Sequence, residues 1–336
     1  MMDIKRKAKK VIFHILMDRY HKKNIVSEPT FIQLEPTVRC NLDCITCSRP
    51  QVINEYKKMD MDIDEIGKII TFFPKLKSIK LQGLGEPLLH PQIGDILKKL
   101  VNKNIKVWII SNGTLLNSDK YRNLLVDYVS DVAISIDSVN EENFNYLRKG
   151  ANLRKITDGI KLLVAERNIK KSNLTIGINF VVSHKNYNEI EKLYDLIVDS
   201  GVDYLTINSV ENWSIADENG FNDAAEFVAE SRKYRQQISG SVKKLFLKLM
   251  KKRIVFGHKK PNKRIGKCFW PFKSLCINVE GFVTPCCLRM NKRHSFGNIF
   301  QVKSLNEIYN SKEYQCFRNA HIIKDFSNRM CGSCPD

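Results

Sequence analysis

No stretch of this 336-residue chain approaches the ~18 apolar residues that a membrane-spanning helix needs. Nor does the sequence open on a secretory signal. Its early apolar run, VIFHILM, is too short and is followed by DRYHKK. The expected compartment is therefore the reducing cytosol, where ten cysteines bind metal more often than they pair. No internal repeat and no low-complexity tract occurs, and 43% of residues are hydrophobic. Such a chain can bury a core in one large domain or two ordinary ones.

Acidic residues are absent from one long stretch. Residues 241–267 carry eleven Lys/Arg and no acid, and residues 1–23 carry eight Lys/Arg against Asp3 and Asp18. These two segments hold nearly all of the net charge of +19. Residues 8–20 place Ala8, Val11, Ile12, Ile15 and Leu16 at helical spacing, which predicts a basic amphipathic helix. Both segments are candidates for an anionic partner, either a membrane surface or a phosphorylated substrate. Nucleic acid fits less well, because no basic run is interleaved with aromatics and no binding module is recognisable.

The cysteines fall into two groups. Cys40, Cys44 and Cys47 lie in RCNLDCITC with spacing C-x3-C-x2-C. Three thiolates on one loop can hold three irons of a 4Fe–4S cube and leave the fourth iron open, whereas a structural cluster takes four. A zinc knuckle is the alternative, although zinc sites usually add Cys or His partners nearby and the next histidine is His90. The other seven cysteines lie in residues 267–336.

Between the two groups, β-branched runs alternate with helical patterns. FIQLEPTV (31–38), KSIKLQG (77–83), KVWIIS (106–111), DVAISID (131–137), LTIGINFVV (174–182) and DYLTINS (203–209) read as six strands. Six βα units predict an α/β fold with a parallel sheet. The expected organisation is a basic segment over 1–30, a core over 31–210, a helical basic connector over 211–266 and a cysteine-rich module over 267–336. Residues 223–255 read as helix and Gly257 to Gly266 as linker.

The segments IQLEPTVRCNLDCITC, LQGLGEPLLHP, SNGTLL, ISIDS and GINFVVS, in that order, resemble the radical S-adenosylmethionine (SAM) superfamily. The resemblance implies a partial (β/α)6 TIM-like barrel, with the cysteine loop at the C-terminal mouth of the strands. It also implies that the open iron binds SAM, whose reductive cleavage gives a 5′-deoxyadenosyl radical for hydrogen abstraction. An external electron donor of the flavodoxin or ferredoxin type is then required. Gly85, Glu86 and Pro87 correspond to the loop that meets the SAM ammonium, although Leu84 replaces the first glycine of the family pattern. Asn112 closes the third strand. Ser135 and Asp137 alternate on one strand face and are expected at the methionyl part or ribose of SAM. Arg148 is expected at its carboxylate and Asn179 at its ribose.

The C-terminal segment resembles the SPASM and twitch auxiliary-cluster modules. Cys268, twelve residues, Gly281, four residues and Cys286 follow their pattern, and Cys331 and Cys334 supply a C-x2-C pair. These four cysteines complete one auxiliary 4Fe–4S cluster, with four-thiolate zinc as the alternative. Cys287 competes with its neighbour Cys286, while Cys276 and Cys316 read as core. FKSLCINVEGFVTPCC reads as a hairpin turning at Glu280-Gly281.

A fully ligated second cluster can accept the electron left on a substrate radical. The expected activity is thus a radical SAM oxidation with the auxiliary cluster as acceptor. Only about thirty residues precede the first strand, which favours a sugar, cyclitol or envelope precursor over a peptide. The alternatives are a peptide- or protein-modifying maturase and a zinc-stabilised nucleic-acid-binding protein. No acidic residue or histidine is distinguished as a general base.

Overall fold

The computed structural model describes residues 26–210, 222–252, 254–259, 268, 270–287 and 290–323. The N-terminal amphipathic segment, Cys331 and Cys334 lie outside the described residues. Among those described, no helix is long and apolar enough to cross a membrane.

Six strands form where the β-branched runs predict them: β1 (Phe31–Leu34), β2 (Ser78–Leu81), β3 (Lys106–Ser111), β4 (Asp131–Ser135), β5 (Thr175–Val182) and β6 (Tyr204–Ser209). Three more are β7 (Val255–Lys259), β8 (Ser274–Ile277) and β9 (Val283–Thr284). They make one sheet of order β9-β8-β1-β2-β3-β4-β5-β6-β7, parallel except for the β8–β9 hairpin. Helices α1 (Ile63–Thr71), α2 (Ile93–Asn102), α3 (Asp119–Tyr128), α4 (Glu141–Leu147), α5 (Leu153–Lys170) and α6 (Leu193–Ser200) fill the crossovers, α7 (Asn222–Lys233) and α8 (Arg235–Lys251) connect β6 to β7, and α9 (Lys312–Ile323) follows the hairpin.

Side-chain alternation explains why these strands make a barrel wall. Ile32, Leu34, Ile79, Leu81, Val107, Ile109, Val132, Ile134, Ile176, Ile178, Leu205 and Ile207 are buried in one core with the helices. The opposite face carries Gln33, Lys80, Ser135, Asn179, Thr206 and Asn208. Parallel strands buried on both faces would be apolar throughout, so the polar row marks the interior that faces the chemistry. Helix starts follow local rules. Glu65 Oε2 accepts from the backbone N of Asp62 at 2.8 Å, and the N-cap residues Asn140 and Asn152 accept from Asn143 N at 2.9 Å and Lys155 N at 2.8 Å.

Two elements cross the expected boundaries. Val255–Lys259, read as the end of a helix and the start of a linker, is a strand paired in parallel with β6. Ser274–Ile277 pairs in parallel with β1, with Leu34 opposite Ile277. The first described strand of the cysteine-rich segment therefore joins the barrel sheet. β1 offers an unpaired edge beside β2, and the fully buried run SLCI satisfies that edge. The hairpin itself forms as predicted, with Cys276 opposite Thr284 and Gly281 at φ 86° in its turn.

Candidate functional site

The cysteine loop leaves β1 at the C-terminal end of the sheet and is fastened on several sides. Val38 N donates to Met59 O at 2.9 Å, Arg49 Nε to Val38 O at 2.6 Å and Glu86 N to Arg39 O at 2.7 Å. Asp60 accepts from Thr37 Oγ1 and from Arg39 Nε, each at 2.7 Å. Cys40, Cys44 and Cys47 are all half-buried and free of disulfides. Within the loop, Cys47 N donates to Cys44 O at 3.1 Å and Arg49 N lies 3.4 Å from Cys47 Sγ. Burial pushes the Cys44 thiol up to about 12, with the Arg148 charge pulling the other way, and burial also raises Cys47.

Gly85 packs directly on this loop. A Cβ there would lie 2.3 Å from Thr37 O and 2.7 Å from Arg39 O, so only glycine admits the approach. Glu86 is buried, and its carboxylate accepts from Asn112 N at 2.6 Å and from Leu88 N at 3.2 Å. Burial raises this carboxyl to about 7 against those bonds. Glu86 therefore ties the loop after β2 to the end of β3, and Pro87 begins a single 3-10 turn. Asn112 reaches further than the sequence implied. Its Nδ2 donates to Asn41 Oδ1 at 2.9 Å and lies 4.0 Å from Cys40 Sγ, while its Oδ1 accepts from Thr114 N at 3.0 Å. An amide N–H beside a cysteine sulfur is a group that tunes cluster potential.

Asp137 and Arg148, expected at separate parts of SAM, pair with each other. Arg148 Nε lies 2.7 Å from Asp137 Oδ2, with the side chains 12% and 11% exposed. The second carboxylate oxygen accepts from Val181 N at 3.0 Å. The backbone of Arg148 pairs with Cys44 in a two-residue antiparallel ladder, so the ion pair sits beside the cysteine loop. Ser135 is buried and stands opposite Asn179 in the β4–β5 register. Asn208 Nδ2 donates to Asn179 Oδ1 at 2.6 Å. Asn41, Arg49, Asp60 and Asn208 were missed by sequence reading. Asn41 lies inside the cysteine run, but its partners are 71 and 73 residues away.

The donor set fits an iron–sulfur cube: three thiols on one tight loop, a neighbouring amide donor and a buried cation. The sequence profile of the Radical SAM superfamily matches residues 34–197, from the end of β1 into α6, and includes every group just described except Asn208. The chain belongs to the radical SAM superfamily. The radical SAM core is followed by a match to SPASM, an iron–sulfur cluster-binding domain, over residues 268–335. This enzyme family uses SAM at its first cluster, and the SPASM domain adds auxiliary cluster chemistry. In the structure, Cys268 and Cys286 are half-buried and Cys276 is fully buried. Burial raises the Cys276 thiol well above its ordinary value, with Cys287 and Cys286 adding to the effect.

Two relatives align over about nine-tenths of the chain. The tungsten-containing aldehyde ferredoxin oxidoreductase cofactor-modifying protein of Pyrococcus furiosus is 27% identical, covering 90% of this chain and 86% of its own. The antilisterial bacteriocin subtilosin biosynthesis protein AlbA of Bacillus subtilis is 28% identical, covering 91% and 67%. Against a probable GTP 3′,8-cyclase of Methanococcus maripaludis, 30% identical, the chain spans only 56% of that relative's length. Among solved structures, Streptococcus suis SuiB bound to its precursor peptide SuiA superposes with a TM-score of 0.70 at 17% identity, covering 97% of this chain and 74% of SuiB. That likeness establishes the shared fold.

Proposed function

We propose that this radical SAM enzyme modifies a peptide or protein substrate. The observation that carries the reading is the AlbA match, which extends through both the core and the SPASM region of this chain. The relative aligned over most of both chains is named for modifying a cofactor, which keeps a cofactor as the second reading of the substrate. The expectation of a sugar, cyclitol or envelope precursor rested on the short segment before β1, and the bacteriocin-biosynthesis relative favours the peptide alternative over it. A cleft of about 200 Å³ lies between the segment after the cysteine loop and the C-terminal hairpin. Its lining includes Tyr56, Lys57, Asn278, Phe282 and Lys292, a mixture suited to an extended polar chain.

In this reading Cys40, Cys44 and Cys47 hold the first cluster. The backbone of Gly85, Glu86 and Pro87, with Asn112, shapes the seat for the amino end of SAM. Ser135, Asn179 and the Asp137–Arg148 pair line the rest of the polar barrel interior. Bound and reduced, the cluster and SAM together supply a 5′-deoxyadenosyl radical able to take hydrogen from a C–H bond. Cys268, Cys286, Cys331 and Cys334 would hold one auxiliary 4Fe–4S cluster, which would supply a one-electron acceptor. The first electron comes from a cytoplasmic flavodoxin- or ferredoxin-like donor.

The test is anaerobic incubation of reconstituted enzyme, reductant and SAM with short peptides encoded beside its gene. Deoxyadenosine release together with loss of hydrogen or a new cross-link in a peptide, read by mass spectrometry, is the expected result. Oxidation of cyclitol or sugar alcohols with every peptide unchanged would overturn the reading.

An anionic surface as a docking partner keeps one supporting observation. On α8, Val242, Leu245 and Leu249 are buried, whereas Phe246, Leu247 and Met250 are 38%, 53% and 57% exposed among Lys243, Lys251 and Lys252. Pelleting with anionic liposomes at low salt is expected, and Met250→Glu should reduce it. Absence of pelleting would remove the peripheral-membrane reading.

A further inference from the structure

Glu35 stands one residue beyond β1, the strand flanked by β2 on one side and β8 on the other. Its side chain is fully buried. One carboxylate oxygen, Oε1, accepts from Leu84 N at 2.7 Å, and the other, Oε2, accepts from Val279 N at 3.1 Å. Leu84 immediately precedes Gly85, Glu86 and Pro87. Val279 opens the turn of the hairpin that leads through β9 to Cys286. The parallel ladders end just before these two amides, with Gln82 N on Leu34 O at 3.0 Å and Glu35 N on Ile277 O at 2.9 Å. One carboxylate thus takes up the first amide released from each neighbouring strand. The contact is close, because a Cβ on Gly83 would come within 2.3 Å of Glu35 Cγ.

We propose that Glu35 is a positioning residue that couples the SAM loop to the auxiliary-cluster hairpin. A shift of Leu84 on cofactor binding moves the carboxylate, and the carboxylate carries Val279 with it. The two sites are covalently distant, since Leu84 and Val279 sit 49 and 244 residues from Glu35 in the chain. Two bonds to one rigid, buried group are nevertheless a short mechanical path. Glutamine cannot substitute for the ionised group, present above about pH 7, because a carboxamide offers one acceptor oxygen and turns an NH2 toward the second backbone donor. The inference rests on the radical SAM assignment and not on the nature of the substrate.

The experiment is amide hydrogen exchange by mass spectrometry on the reconstituted, anaerobic holoenzyme, with and without SAM, in wild type, Glu35→Gln and Glu35→Asp. In wild type, SAM is expected to slow exchange both in the peptide covering 82–86 and in the peptide covering 278–284. In both variants the loop response remains and the hairpin response is lost. Equal hairpin protection in variant and wild type would overturn the coupling. So would a wild-type hairpin that ignores SAM while the loop responds, and this arm stands even if neither variant folds. A wild-type loop that ignores bound SAM would instead refute the cofactor assignment of Gly85–Pro87, and the coupling with it.

Discussion

Gly85→Ala puts one methyl group where the structure has no room for it. The added Cβ meets Thr37 O at 2.3 Å, Arg39 O at 2.7 Å and Val38 C at 2.8 Å, all of them backbone atoms. No side-chain rotation relieves such contacts, so the two loops must part. Restoring an ordinary 3.4 Å separation from Thr37 O takes a movement of about 1 Å. That movement also strains the Glu86 N to Arg39 O bond of 2.7 Å. Overpacking costs about 1–3 kcal/mol and the lost bond about 1 kcal/mol, so the variant should be destabilised by roughly 2–4 kcal/mol. A 1 Å misplacement of reacting groups can cost about 100-fold in rate, and here the displaced segment ends at Cys40. Anaerobic iron and sulfide content, urea unfolding and deoxyadenosine release with SAM are the assays. Expected are lowered stability, incomplete loading of the first cluster and near loss of SAM cleavage. Gly240→Ala is the control, because its Cβ meets nothing within 4 Å in the middle of α8; it should stabilise by about 0.5–1 kcal/mol. A Gly85→Ala enzyme with full iron, unchanged stability and unchanged SAM cleavage would refute the packing argument.

Arg148→Ala strands the buried Asp137 carboxylate and should cost about 3–5 kcal/mol in urea unfolding; the Asp137→Asn/Arg148→Met double variant should cost distinctly less. Cys286→Ala should lower anaerobic iron content from about eight to about four atoms per chain, and Cys287→Ala should leave it unchanged; the reverse pattern would exchange the two assignments. Burial raises Glu35 and Glu86 from 4.5 to about 7, so the folded chain binds protons that the unfolded chain has already released. Their contribution to stability is therefore full below about 4.5 and is lost as pH rises through about 7. Glu86→Gln should flatten the stability profile across that interval, by at most about 1.4 kcal/mol per pH unit; an unchanged slope in apo-protein would show that Glu86 is ionised throughout.

The chemistry legible in the residues was the chemistry written into short stretches. The triplet Cys40, Cys44 and Cys47 needs only its own spacing to define a three-thiol loop. Gly85, Glu86 and Pro87 need only a preceding strand, and strand and helix positions follow from alternation and capping. What spacing could not show was which distant groups meet. Asp137 and Arg148 read as two independent ligands, yet a shared burial beside Cys44 makes them partners. Glu35 passed as an ordinary residue of the first strand, because its meaning depends on β8 lying beside β1. That pairing also set the extent of the sheet, which continues through Ser274–Ile277 and Val255–Lys259. The physical reason is the reach of each signal. Period and spacing act over a few residues, whereas an unpaired strand edge and a buried charge take their partners from anywhere in the chain, and only the packed tertiary structure brings those partners to them.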